Sequence, residues 1–163
     1  MMRSAALALM LLLGACGLRP IYAGGSSGAV ATGLSSIQVA PIPERAGWLV
    51  RNALVDRLAG EGSPPSYRLE VELDDDLTAF GIRGDAAVTR ERRILRARYR
   101  LVELSTGLVV LDATAGSDAG IDVVSSEYAT VAAEQTAQER LAQVIADQMV
   151  ARIALFMRNS RRP

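Results

Sequence analysis

Between Tyr67 and Asp74 the chain alternates without a break. Tyr67, Leu69, Val71 and Leu73 fall on one side, and Arg68, Glu70, Glu72 and Asp74 on the other. A period of two is that of a strand with one face buried and one in water. The same period returns in RRILRARYRLVEL, Arg92 to Leu104, where Leu95, Ala97, Tyr99 and Leu101 share one face. Arg92, Arg96, Arg98 and Arg100 share the other, interrupted by Ile94. Ser105-Thr106-Gly107 then turns the chain, and LVVLDATA, Leu108 to Ala115, returns as the second arm of a hairpin. Upstream, Ile37, Val39 and Ile42 in SSIQVAPIP read as a short strand ended by Pro41 and Pro43. Between the Tyr67 and Leu95 strands, Asp74-Asp75-Asp76 reads as a solvated turn, and Gly81 and Gly84 mark a looser segment. Calcium is the competing reading for three adjacent aspartates, but EF-hand spacing is absent.

The period changes to that of a helix in two places. In ERAGWLVRNALVDRLAG, the residues Ala46, Leu49, Val50, Ala53, Leu54 and Leu58 fall on one face. Pro43 suits its start and Gly60 its stop. A second helix spans about Glu127 to Met157, with Ala133, Ala137, Leu141, Val144, Ile145, Met149 and Phe156 as a broad apolar face. Ser125 or Ser126 suits its N-cap. Gln148 and Arg152 fall within that apolar face with no local reason. The order strand, helix, three strands, helix predicts an α+β fold: one mixed or antiparallel four-stranded sheet with two helices packed on one face.

The N-terminal stretch has another logic. A short positive start, Met1 to Arg3, precedes a continuous apolar run from Ala5 to Leu13. That run is shorter than the roughly 20 residues needed to cross a bilayer and fits the core of a signal peptide. It ends in Leu13-Gly14-Ala15-Cys16, which looks like a bacterial lipobox. Small residues admit the peptidase to the backbone, and Cys16 becomes the acylated N-terminus. Two or more acyl chains are needed for stable attachment. Gly17, rather than aspartate, follows the cysteine and favours the outer membrane. A plain secretory signal and a buried core cysteine are the weaker readings of Cys16, since no second cysteine is present for a disulfide. The expected organisation is therefore a signal peptide over 1–15, a lipidated and flexible tether over 16–34, a folded domain over 35–158 and a basic tail over 159–163.

Composition narrows the chemistry. The 163 residues carry 18 basic and 18 acidic side chains, so no net charge calls for nucleic acid. Every basic residue is arginine, and histidine is absent. That removes histidine-based triads, Cys-His pairs and histidine metal sites. No spacing singles out a carboxylate pair, so no catalytic residue, metal ligand or cofactor is assigned, and the expectation is a protein that is not an enzyme. An envelope hydrolase is the reading this disfavours.

The row Arg92, Arg96, Arg98 and Arg100 admits two compatible functions. If the Tyr67 and Leu95 strands are antiparallel neighbours, Glu70 and Glu72 lie on the same side as Arg96 and Arg98, and cross-strand ion pairs form, each contributing about 0.2–1 kcal/mol. The excess of arginines over opposing glutamates leaves guanidinium groups for phosphates, which they bind bidentately. An anionic lipid head group is the candidate ligand.

Several stretches together resemble a known family. CGLRPIY at Cys16 to Tyr22, IQVAPIPERAGWLVRNAL at Ile37 to Leu54, YRLEVEL after a Pro-rich gap, and the final helical segment are similar to LptE, the lipopolysaccharide-assembly lipoprotein family, in its alphaproteobacterial form. The start motif and the Arg45-Gly47-Arg51-Asn52 spacing are the most specific, and Trp48 stands where glutamine is usual. The resemblance implies a lipoprotein that sits inside and supports an LptD-type outer-membrane β-barrel, binds lipopolysaccharide and helps insert it into the outer leaflet. Its partners would be that barrel, lipopolysaccharide, and the membrane through acylated Cys16. Arg45, Trp48, Arg51 and Asn52 become candidate barrel contacts, against the plainer reading of core packing, capping or solvation; Trp48 is core or an aromatic anchor. An auxiliary lipoprotein of an ABC-type envelope lipid transporter is the alternative.

Overall fold

A computed structural model describes residues 29–58, 64–82 and 88–160. The signal peptide, Cys16, most of the expected tether, Gly60, Gly84 and Arg161–Pro163 lie outside the described residues. Among the described residues seven elements follow in order: α1 (Ala29–Ser35), β1 (Ile37–Val39), α2 (Glu44–Leu58), β2 (Tyr67–Ile82), β3 (Val88–Glu103), β4 (Val109–Asp122) and α3 (Glu127–Ser160). The sheet order is β1-β2-β3-β4. β1 runs parallel to β2, and the other neighbours are antiparallel. This is the expected mixed four-stranded α+β sheet.

The apolar sides of the alternating strands form the floor of the core. Leu69, Leu95, Ala97, Tyr99 and Leu101 are buried there. Val50, Ala53 and Leu54 of α2 and Leu141, Ile145, Met149 and Ile153 of α3 cover them from the same side. The charged sides of the strands face away from both helices.

α2 begins after a tight Pro41-Ile42-Pro43 approach. A Cβ at Gly47 would stand 2.7 Å from the Ile42 carbonyl oxygen, closer than real atoms approach. Glycine is therefore required where the strand exit folds back on the helix. Glu44, the first helical residue, has φ +66°, a left-handed conformation that costs a non-glycine residue about 1–2 kcal/mol.

Several expectations change. The tether over 16–34 ends earlier than its composition suggests, because α1 takes Ala29–Ser35 into a helix. Leu34 is buried, and Gly33 lies against Met157 of α3, so apolar contact overrides the flexible composition. The acidic run is not a turn. β2 continues through Asp74-Asp75-Asp76 to Ile82, paired throughout with β3, so alternate aspartates point to opposite faces instead of converging on a cation. The basic tail begins later than 159, since α3 runs to Ser160, whose hydroxyl donates to the Phe156 carbonyl.

The face of α3 also differs from the expected one. Ala133 and Val144 are exposed, while Ala142, Ala146, Val150 and Ala154 are buried. Buried residues recur every fourth position from Ala137 to Met157. Four residues turn an α-helix through about 400°, so this stripe drifts by about 40° per repeat around the cylinder. The helix thus crosses its supports obliquely, from the sheet through α2 to α1. Ser126 is the N-cap, accepting from the Ala129 N–H at 3.4 Å.

Candidate functional site: the open face of the sheet

The helix-free face carries a central row of arginines from β3, flanked by carboxylates from β2 and β4. Arg98 donates to Asp112 through Nε at 3.2 Å and Nη2 at 2.9 Å. Arg100 reaches Glu72 at 3.0 Å and Glu70 at 3.8 Å. Arg96 meets Asp74 at 3.4 Å, and Arg92 meets Asp118 at 3.0 Å. Beyond the expected row, Arg90 pairs with Asp122 and Arg68 with Glu70. The Arg98 hydrogen bonds hold the Asp112 carboxyl below its ordinary range, and Asp112 in turn raises Arg98.

β2 and β3 are the antiparallel neighbours expected, and Glu70 and Glu72 share the face of Arg96 and Arg98; register sets Glu70 opposite Arg100 and Glu72 opposite Arg98. One expectation is corrected: among the described residues of this face the arginine excess is absent, because Asp74 continues the acidic side of β2, and β4 brings Asp112 and Asp118 to the same face. All four predicted ladder residues, Arg92, Arg96, Arg98 and Arg100, have carboxylate partners. These partners are largely exposed, and exposed pairs contribute only about 0–1 kcal/mol each. They hold the guanidinium groups in place without committing them strongly. A shallow trough of about 670 Å³ runs between Glu72, Asp74, Arg96, Arg98, Thr114 and Gly116. Thr114 and Gly116 are too small to fill it.

The α2 residues form a second, separate patch on the other side of the molecule. Trp48 is 62% exposed, so it is not a core residue. Arg45, Trp48 and Asn52 follow one another at helical spacing on the solvent side, with Arg51 beside them. Arg45 stands 3.9 Å from Glu139 of α3. Arg51 is half-buried beside Ile37, Val39, Val55 and Leu58, and its Nε lacks a hydrogen-bond partner. The ladder and this patch are not brought together.

Residues with no assigned role in the sequence reading hold the frame behind the ladder. Arg93 and Asp75 sit on the inner face and form a bidentate pair, both bonds 2.7 Å, with side chains 16% and 13% exposed. The Gln138 amide of α3 donates to the same carboxylate at 2.8 Å. Burial pushes Asp75 up, but the bonds from Arg93 and Gln138 outweigh it and hold it below the ordinary value. Beside them, burial and the facing Glu134 carboxyl raise Glu91. The signal was present in the alternation: Arg93 falls on the Leu95 face and Asp75 on the Leu73 face, where a charge needs a partner. Gln148 has a different task. It accepts from the Gly116 N–H at 3.2 Å and donates to the Gly116 carbonyl at 3.3 Å, occupying the outer edge of β4. That accounts for a polar residue beside the apolar stripe of α3. Arg152 lies with Leu111, Leu155 and Phe156 around a small hollow; burial raises the Tyr99 hydroxyl above its ordinary value, and the Arg152 charge opposes that only in part.

The architecture is that of small bacterial envelope lipoproteins. A lipoprotein of Caulobacter crescentus superposes with a TM-score of 0.69 at 28% identity, covering 83% of this chain and all of that one. The rare lipoprotein B of Shewanella oneidensis gives 0.60 at 10% identity, over 77% of this chain and 97% of that one. A minor lipoprotein of Acinetobacter baumannii gives 0.54 at 12%, over 73% and 88%. At those last two identities the likeness is one of fold alone. No curated protein sequence matches. The model of the LptE lipopolysaccharide-assembly family matches residues 34–153, most of the chain. The protein belongs to that family, as an envelope lipoprotein with a role in lipopolysaccharide assembly.

Proposed function

We propose that this protein is an outer-membrane lipoprotein, acylated at Cys16 after removal of residues 1–15, that supports and plugs an LptD-type β-barrel and binds lipopolysaccharide during its insertion into the outer leaflet. Its role is structural and non-enzymatic. Family membership supports the assembly role, and the open arginine face is the observation that carries lipopolysaccharide binding. The head group of that lipid is anionic, and phosphate accepts two parallel N–H bonds from a guanidinium. Exchange of an exposed carboxylate for a phosphate costs little, because each displaced pair contributes at most about 1 kcal/mol. The ladder then acts as a set of pre-extended donors. The α2 patch, with exposed Trp48 flanked by Arg45, Arg51 and Asn52, is the candidate barrel contact, since an exposed aromatic beside arginine is the common form of an interface anchor.

Two experiments test this reading. Affinity purification from solubilised outer membranes should recover a large barrel protein; recovery with an inner-membrane ATPase complex instead would favour the transporter alternative. Replacing Arg96, Arg98 and Arg100 together by glutamine should weaken lipopolysaccharide binding while circular dichroism stays unchanged. Unaltered affinity in that folded variant rejects the head-group role of the ladder.

A further inference from the structure

We infer that the β3–β4 hairpin end of the molecule rests on the lipid surface to which the chain is tethered, with Leu104, Leu108 and Val109 as the inserting side chains. The three are 40%, 64% and 50% exposed. They are presented by a firmly bonded turn. Glu103 donates to Leu108 and Gly107 donates to Glu103, at 2.9 and 2.8 Å. The Thr106 hydroxyl donates to the Glu103 carboxylate at 2.7 Å, and Gly107 takes φ +70° to close the turn. With the Glu103 carboxylate engaged by Thr106, Leu104, Leu108 and Val109 flank the turn as exposed apolar side chains.

The same end holds the first described element, α1, and the close of the last, α3. Leu104 donates to the Ser66 carbonyl, and Ser66 donates to that of Ser36, the residue that follows α1. Gly33 of α1 packs on Met157, near the end of α3. The described chain therefore begins within one short helix of the hairpin tip. Twelve residues separate Ala29 from Cys16, a length that spans roughly 20 Å by coil scaling. β2 and β3 carry the opposite end about 50 Å away at strand rise. That opposite end also exposes apolar side chains, Phe80 and Tyr128 among them. The tether decides between the two ends. The sequence after Ser160 continues Arg161-Arg162, and cations suit anionic head groups.

This inference rests on the reading that Cys16 is acylated, and the experiment separates the two. The full-length protein, purified from membranes and checked by intact mass for acylation, is placed in phosphatidylethanolamine–phosphatidylglycerol vesicles. Acylation blocks the Cys16 thiol, so an environment-sensitive fluorophore can be attached through Leu108→Cys, or through Tyr128→Cys as the far-end control. The Leu108 probe should shift to the blue and be quenched by nitroxides on the lipid chains, while the Tyr128 probe stays water-like. A water-like Leu108 probe on acylated protein overturns the docking and leaves the anchor standing. A blue shift that needs added barrel protein assigns the tip to that partner and also overturns it. An unacylated Cys16 removes both readings together.

Discussion

Asp75→Ala isolates the inner-face network more cleanly than any other substitution. The change removes the bidentate partner of Arg93 and the acceptor of Gln138, three charge-assisted bonds of 2.7–2.8 Å. It leaves a guanidinium that is 16% exposed between the sheet and α3. Breaking a buried pair on one side costs about 3–5 kcal/mol, and the residual solvent contact here brings the expected loss below that range, to about 2–3 kcal/mol. Asp75→Leu with Arg93→Met and Gln138→Leu removes both charges and the amide donor together and should lie within about 1 kcal/mol of wild type, because no unpaired polar group of the network remains. Urea unfolding followed by circular dichroism reads both variants. The pH dependence supplies an independent check. Asp75 has a folded pKa below its unfolded one, so its contribution is present above the ordinary aspartate value of about 3.9 and is lost as pH falls through the folded value. The gap between wild type and Asp75→Ala should therefore be constant near neutrality and narrow in strong acid. A loss under about 0.5 kcal/mol at neutral pH, or a gap that stays level into strong acid, would refute the idea that this network fastens α3 to the sheet.

Three other outcomes follow from single observations. Glu91 has a folded pKa above its unfolded one, so it takes stability away as pH rises through the carboxylate range; Glu91→Gln should melt higher than wild type at pH 7 and match it at pH 4, as scanning calorimetry would show. Gly47→Ala should cost about 1–2 kcal/mol net, since the clash with Ile42 outweighs the better helix propensity of alanine; an equal or higher melting temperature would count against a required glycine. Gln148→Ala should cost about 1 kcal/mol or less and speed hydrogen exchange at the Gly116 amide; unchanged exchange there would show that the edge of β4 is protected by something else.

Much of this architecture is legible in the residues taken in order. The two-residue period of Tyr67–Leu73 and Leu95–Leu101 identifies the inner faces of β2 and β3, because alternation of side chains is a property of an extended backbone alone. The apolar spacing from Ala46 to Leu58 does the same for α2. What needs neighbours is different. The acidic run Asp74–Asp76 has no apolar alternation, so nothing local marks it as strand; pairing with β3 makes it one. The tether composition conceals α1, whose helix is held by Leu34 in the core and by Gly33 against Met157.

The strand and helix periods, the polar face rich in arginine, and the absence of histidine and lysine are written in the order of residues alone. Each depends only on residue identity and covalent spacing. Tertiary structure alone decided which carboxylate meets which arginine, why Arg93 is tolerated on an apolar face, and what Gln148 bonds. Apart from the local Arg68–Glu70 pair, the contacts of the sheet face, Arg93 and Gln148 join residues between 14 and 63 positions apart, and a register shift of one residue would move every strand partner to the other face. Pairing across the sheet is set by the packing of the whole core, which no local window contains.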